Sequence, residues 1–162
     1  MVLKRLFGLV AEERDAPFFL PEGERLYAIG DIHGRSDLLD RLIARIESDD
    51  AGRSGARVSW VFLGDFIDRG PDSAGVVDRL IAFAASHPDA SFLMGNHEEV
   101  LLRAADGDTR AASLFHRIGG RETLLSYGVD PDTYDNADLA ELCGLIAAHV
   151  PAAHMNFLRD LR

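Results

Sequence analysis

The sequence predicts an α/β fold in which a βαβαβ unit is followed by a helical segment, and three observations predict it. Three short apolar runs, at 26–29, 58–63 and 91–94, each end in a glycine that leads into a polar cluster. Between the runs, apolar residues recur at helical spacing. Beyond residue 97 no further run of strand character occurs, only helical patterns at about 97–105, 110–127, 137–150 and 151–161. Short crossovers between successive strands favour a parallel sheet with right-handed connections.

In chain order, residues 17–24 form a lead-in loop, and Leu26-Tyr27-Ala28-Ile29 is short, continuous and apolar. That composition predicts a strand covered on both faces. Gly30 ends it. Ser36 is placed as a helix N-cap, and Leu38, Leu39, Leu42, Ile43 and Ile46 carry the first helix to a loop at 49–55. The second strand, 58–63, precedes a helix opened by Pro71 and Asp72 and striped by Val76, Val77, Leu80, Ile81 and Ala84; His87-Pro88 closes it. The third strand is 91–94. Gly119-Gly120 and the stretch 128–131 punctuate the later helices as turns, and Pro151 is placed as the first residue of the last one. Three strands would leave both sheet edges open unless something pairs with them.

Composition bounds the function. At 162 residues, 47% apolar and 27% charged, the chain suits one globular domain. A formal charge of -10, from 27 acidic and 17 basic residues, argues against non-specific nucleic-acid binding. It leaves room for a phosphate substrate, because a bound metal inverts the local sign. No apolar run reaches membrane-spanning length, residues 1–10 lack the plan of a secretory signal, and Lys4-Arg5 beside Leu6-Phe7 reads as a lightly docked terminus and not as a membrane foot. The expected compartment is cytoplasmic. Cys143, the single cysteine, lies in a helical apolar pattern and reads as a buried structural thiol.

The chemistry lies at the three strand ends, where α/β sheets bind ligands. They are Gly30-Asp31-Ile32-His33-Gly34, Gly64-Asp65-Phe66-Ile67-Asp68-Arg69-Gly70 and Gly95-Asn96-His97-Glu98. One glycine and aspartate after a strand is usually a turn. Three in order, with His33, Arg69 and His97 attached, point to a site. Hard divalent cations that act on phosphate esters take oxygen ligands with some imidazole. Asp31, His33, Asp65 and Asn96 supply that mixture, with Asp65 the candidate bridge between two ions and Asp31 with His33 on one of them. Arg69 can clamp phosphoryl oxygens with its planar fork. His97 is the candidate general acid, oriented by Asp68. Glu98 reads equally as an exposed first-turn acid or as a partner supporting the site's ligands; Glu99 reads as the helix acid. Arg35 and His87 read as surface and helix-end residues, and His116, His149 and His154 as structural or surface residues.

These motifs resemble the calcineurin-like metallophosphoesterases. The DRG and NHE forms resemble its phosphoprotein phosphatase branch, and within it the bacterial serine/threonine-phosphatase-like proteins and the symmetrical dinucleoside tetraphosphatases. The resemblance runs from Leu26 to Arg162, including Gly119 to Gly128, so residues 1–25 form an N-terminal extension and 26–162 a partial phosphoesterase domain. It implies a four-layer sandwich of two sheets faced by helices and two divalent metals, manganese first, iron or zinc next. It also implies ligation by Asp31, His33, Asp65 and Asn96, catalysis by Asp68, Arg69 and His97, and a phosphorylated protein or nucleotide as substrate. The family's further histidine motifs, of VHAG and GHT type, have no counterpart here, which reads the chain as the N-terminal part of such an enzyme. The opposing expectation is an inactive, metal-binding remnant; a nuclease of the same superfamily fits the acidic charge less well.

Overall fold

The computed structural model describes residues 19–53 and 55–162; the reading of Lys4, Arg5, Leu6 and Phe7, and Pro17 of the lead-in loop, fall outside them. Its elements are β1 (Glu24–Ile29), α1 (Ser36–Ala51), β2 (Arg57–Phe62), α2 (Ser73–Ser86), β3 (Ser91–Phe92), α3 (Asn96–Ala105), α4 (Thr109–Ile118), α5 (Gly120–Ser126), α6 (Pro131–Asn136), α7 (Leu139–His149) and α8 (Ala152–Arg159). The strands form one parallel sheet in the order β1-β2-β3, with Leu26 opposite Ser59, Ile29 opposite Phe62 and Phe62 opposite Phe92. This is the predicted βαβαβ unit followed by helices.

Helices cover one face of the sheet. Trp60 and Phe62 on β2 meet the Phe83 ring of α2 edge-on at 5.1 and 5.3 Å, and Phe92 on β3 meets Phe157 of α8 at 5.5 Å. The α2 stripe of Val76, Val77, Leu80 and Phe83 is buried, and each such side chain contributes about 1.5–3 kcal/mol on leaving water.

Several local expectations are corrected. β1 is not covered on both faces: Tyr27 and Ile29 point to the helices, whereas Leu26 and Ala28 are exposed. Its start lies two residues earlier, at Glu24, because Glu24 and Arg25 pair with Arg57 and Val58. Ser36 does not cap α1; it is the first helical residue, and its hydroxyl donates to the Asp72 carboxylate. Asp72 in turn caps α2 by accepting from Gly75 N at 3.0 Å. β3 is shorter than 91–94, because Met94 N turns away from β2 to Arg162 O at 2.8 Å. Arg162 N donates to Phe92 O at 3.1 Å, so Arg162 pairs with the β3 edge, one of the two edges that needed a partner. The helical pattern 110–127 does break into α4 and α5 at Gly119, where a turn was expected, its φ of 109° being left-handed. Pro131 opens the helix α6 where a turn was expected, with Asp130 capping it.

Candidate active site

All three polar clusters lie at the C-terminal ends of the strands, and two glycine contacts lock them together. A Cβ on Gly70 would stand 2.1 Å from His33 O, and one on Gly64 would stand 2.4 Å from Gly95 N. Backbone bonds follow from this close approach. Ile32 N and His33 N both donate to Asp65 O at 3.0 Å, Gly34 N donates to Phe66 O at 2.8 Å, and Asp72 N donates to Gly34 O at 2.9 Å. His33, Asp65, Asp68 and Arg69 hold φ values of 45°, 55°, 71° and 68°. Left-handed backbone at non-glycine residues costs about 1–3 kcal/mol each and persists where surrounding structure imposes it.

Glu98 holds the Asp65 end of this backbone and ties it to Gly95. Its carboxylate is buried and accepts four backbone N–H groups: Asp65 at 2.9 Å and Gly95 at 3.0 Å on Oε2, Phe66 at 2.8 Å and Ile67 at 3.3 Å on Oε1. Of the two readings of Glu98, the exposed one fails. Burial pushes its pKa up, against the backbone donors that pull it down. Glu99 is exposed, with Arg103 at 3.9 Å.

Behind the site runs a buried polar chain. His97 Nδ1 meets Asp68 Oδ2 at 2.7 Å, and Asp68 Oδ1 accepts from Thr123 Oγ1 at 2.7 Å. Since an ionised carboxylate only accepts, Nδ1 carries the imidazole proton. On the other side of the ring, Arg69 Nη2 lies 3.2 Å from Nε2, and the exposed Arg69 is braced by its own N–H on Gly119 O at 3.0 Å. Burial raises the Asp68 pKa from 3.8 to about 6, opposed by the bonds from Thr123 and His97. A raised carboxyl pKa favours the protonated fold, so this stabilisation is complete below about pH 4 and is lost as pH rises through about 6. Thermal denaturation of the metal-free protein should therefore show the melting temperature of wild type falling relative to Asp68→Asn between about pH 4 and 6. A difference independent of pH would overturn this.

His33, Asp65 and His97 each offer a ligand atom within 4.8 Å of the others. His33 Nδ1 donates to Ile67 O at 2.8 Å, which leaves Nε2 with its lone pair. Among the described residues that Nε2 is the one buried side-chain polar atom without a hydrogen-bond partner. The Asp31 carboxylate stands 3.7 Å from it. An orphaned imidazole nitrogen beside two carboxylates suits a divalent cation. The predicted ligands are thus brought together in part. His33 and Asp65 share the group, exposed Asp31 lies beside it, and Asn96 begins α3 on the exposed rim. His97 joins them by distance, but both its nitrogens face other partners, Asp68 and Arg69.

Sequence reasoning missed Thr123 and Ser73, buried hydroxyls whose only sign was a polar residue inside an apolar helical stripe. Arg35 spends its fork on Asp37, both contacts at 2.8 Å. His154 and His116 are structural as expected, bonded to Asp78 at 2.9 Å and Tyr134 at 3.2 Å. Hollows of about 430 and 440 Å³ lie elsewhere, one beside Trp60 and His87 and one beside Thr133 and Leu145, and neither reaches the site.

The family model described as calcineurin-like phosphoesterase matches residues 24–159. The symmetrical bis(5'-nucleosyl)-tetraphosphatase of Acidovorax sp. (strain JS42) is 39% identical over 107 residues, covering 66% of this chain and 33% of that protein. The same enzyme from Dechloromonas aromatica (strain RCB) is 34% identical over 128 residues, covering 79% of this chain and 39% of its own length. Human serine/threonine-protein phosphatase with EF-hands 2 is 34% identical over 102 residues, covering 62% of this chain and 13% of that protein. The chain therefore matches between 13% and 39% of the length of these relatives. Among the described residues no helix is long and apolar enough to cross a membrane.

Proposed function

This chain belongs to the calcineurin-like phosphoesterase family, and from that membership we propose that it hydrolyses phosphate esters in the manner of a serine/threonine protein phosphatase, in the cytoplasm. The observation that carries the reading is the row Thr123, Asp68, His97 and Arg69 set beside the orphaned His33 Nε2 and the Asp65 carboxylate. Asp31, His33, Asp65 and Asn96 would hold two divalent ions, manganese first, iron or zinc next. Bound there, such ions supply a Lewis acid and a coordinated water that ionises near neutral pH.

The chain's own residues do the rest. Arg69 is exposed and carries a planar fork suited to two phosphoryl oxygens. It now donates to His97 Nε2. A phosphoryl oxygen is the stronger acceptor and draws the guanidinium away, leaving Nε2 free to take a proton from solvent and pass it to the departing oxygen, which returns the imidazole to its neutral, Nδ1-protonated form. Asp68, on the far side of the ring, stabilises the imidazolium that this requires.

Replacing His97 with asparagine should lower kcat about 10²- to 10⁴-fold while KM and bound metal change little. Metal loss matching the activity loss, read by elemental analysis, would make His97 a ligand instead. Hydrolysis itself is tested with the purified 162-residue chain, p-nitrophenyl phosphate and manganese; manganese binding without turnover favours an inactive, metal-binding remnant. The tetraphosphatase relatives favour a second substrate, a dinucleoside polyphosphate. Comparing kcat/KM on a phosphoserine peptide and on a symmetrical dinucleoside tetraphosphate decides between them.

A further inference from the structure

We propose that Thr123 is a positioning residue for the Asp68–His97 pair, its hydroxyl clamping Asp68 at two atoms so that the carboxylate faces His97 Nδ1. The reaction it serves is the phosphoester hydrolysis proposed above; the clamp itself stands on geometry alone.

Thr123 Oγ1 donates to Asp68 Oδ1 at 2.7 Å and accepts from Asp68 N at 2.9 Å. Asp68 N also reaches Ser73 Oγ at 3.1 Å, and Ser73 Oγ lies 2.9 Å from Thr123 Oγ1. Each hydroxyl has one proton. The ionised Asp68 can only accept, so the Thr123 proton goes to Oδ1, and Ser73 must then donate to Thr123. One assignment satisfies every atom: Ser73 donates to Thr123, Thr123 to Asp68 Oδ1, and His97 Nδ1 to Asp68 Oδ2. The chain fixes the direction of each hydrogen bond as well as its partners.

Its surroundings give the chain no freedom to rearrange. Ser73, Asp68 and Thr123 are 0% exposed and His97 is 2% exposed, so water does not replace a missing partner. Asp68 holds a φ of 71°, a conformation its side chain resists, and the two hydroxyls on its N–H oppose relaxation. A buried threonine that served packing alone would be as well served by valine. Here the hydroxyl makes three contacts to groups on the loop after β2 and the start of α2, 50 and 55 residues away in sequence. It sets the orientation of Asp68, and Asp68 sets the tautomer of His97.

The test compares Thr123→Val, which keeps the shape and removes the proton, with Thr123→Ser, which keeps the proton. Both are made in the full 162-residue chain. With manganese, Thr123→Val should lower kcat on an alkyl phosphate, a poor leaving group that needs the acid, by about 10- to 100-fold. On p-nitrophenyl phosphate, whose leaving group needs little protonation, the loss should be several-fold smaller, with KM and metal content near wild type. Thr123→Ser should restore most of the rate. Equal losses on the two esters, or a serine variant as slow as the valine one, overturn the proposal.

A second readout does not depend on turnover. In metal-free protein labelled with 15N-histidine, the downfield Nδ1 proton of His97 should persist in Thr123→Ser and vanish or move upfield in Thr123→Val. If wild type shows no metal-dependent hydrolysis, the phosphoesterase reading fails while this spectrum still decides the clamp: an unchanged resonance in Thr123→Val overturns it. Should Thr123→Val fail to fold, Ser73→Ala takes its place. It should give a smaller loss with the same dependence on leaving group, and a loss without that dependence overturns the proposal.

Discussion

Asp65→Asn is expected to lower manganese-dependent turnover of p-nitrophenyl phosphate about 10³-fold or more, ~4 kcal/mol of transition-state stabilisation. The substitution keeps size and shape and removes the negative charge from the one carboxylate that shares the group with His33 and His97 among the described residues. It also spares the fold. Most of the bonds that wire Asp65 to its neighbours run through its main chain, from Asp65 N to Glu98 and from Ile32 N and His33 N to Asp65 O, and the one its side chain accepts, from His97 N at 3.3 Å on Oδ1, can be kept by the asparagine amide oxygen. Asparagine also tolerates the left-handed φ of 55° as well as any side chain besides glycine. Melting temperature should therefore stay within a few degrees while calorimetric manganese binding weakens. Full turnover at saturating manganese would remove Asp65 as the bridging ligand.

The second large effect is on stability. Glu98→Gln should destabilise the protein by about 3 kcal/mol or more. Four backbone N–H groups converge on the two carboxylate oxygens, two on each. The glutamine amide keeps one oxygen and turns an NH2 toward the other two donors, so two buried N–H groups lose a charged acceptor, each bond worth about 1.5–3 kcal/mol. For a chain of this length that corresponds to roughly 6–12 °C in melting temperature. Because the same donors belong to the loop carrying Asp65, Asp68 and Arg69, hydrolysis should fall as well, even in protein held well below its melting point. A melting temperature within 2 °C of wild type, read by differential scanning calorimetry, would show that the four bonds carry little.

What was legible in the sequence follows from short-range rules. Apolar runs ending in glycine marked all three strand ends, and 3.6-residue periodicity marked α1, α2 and most later helices, because propensity and pattern act over a few residues. Boundaries slipped where a longer-range partner intervened. Ser36 has the chemistry of a cap, but the Asp72 carboxylate arrives from the next crossover and takes its proton. β1 reads as doubly buried because Leu26 is apolar, yet its burial depends on what stacks on each sheet face, which no local window contains. Glu98 could be read two ways for the same reason.

The sequence by itself determined the α/β order, the three polar corners, and the residue types that suit divalent cations and phosphate; these are properties of single segments. Only the tertiary structure decided which of those residues meet. Gly70 and Gly95 let loops 30 or more residues apart close to contact, Glu98 gathers the donors of two of them, and Thr123 reaches Asp68 across 55 residues. Such pairings are bought by burial and hydrogen bonding summed over the whole core. They are therefore legible only once the chain has folded.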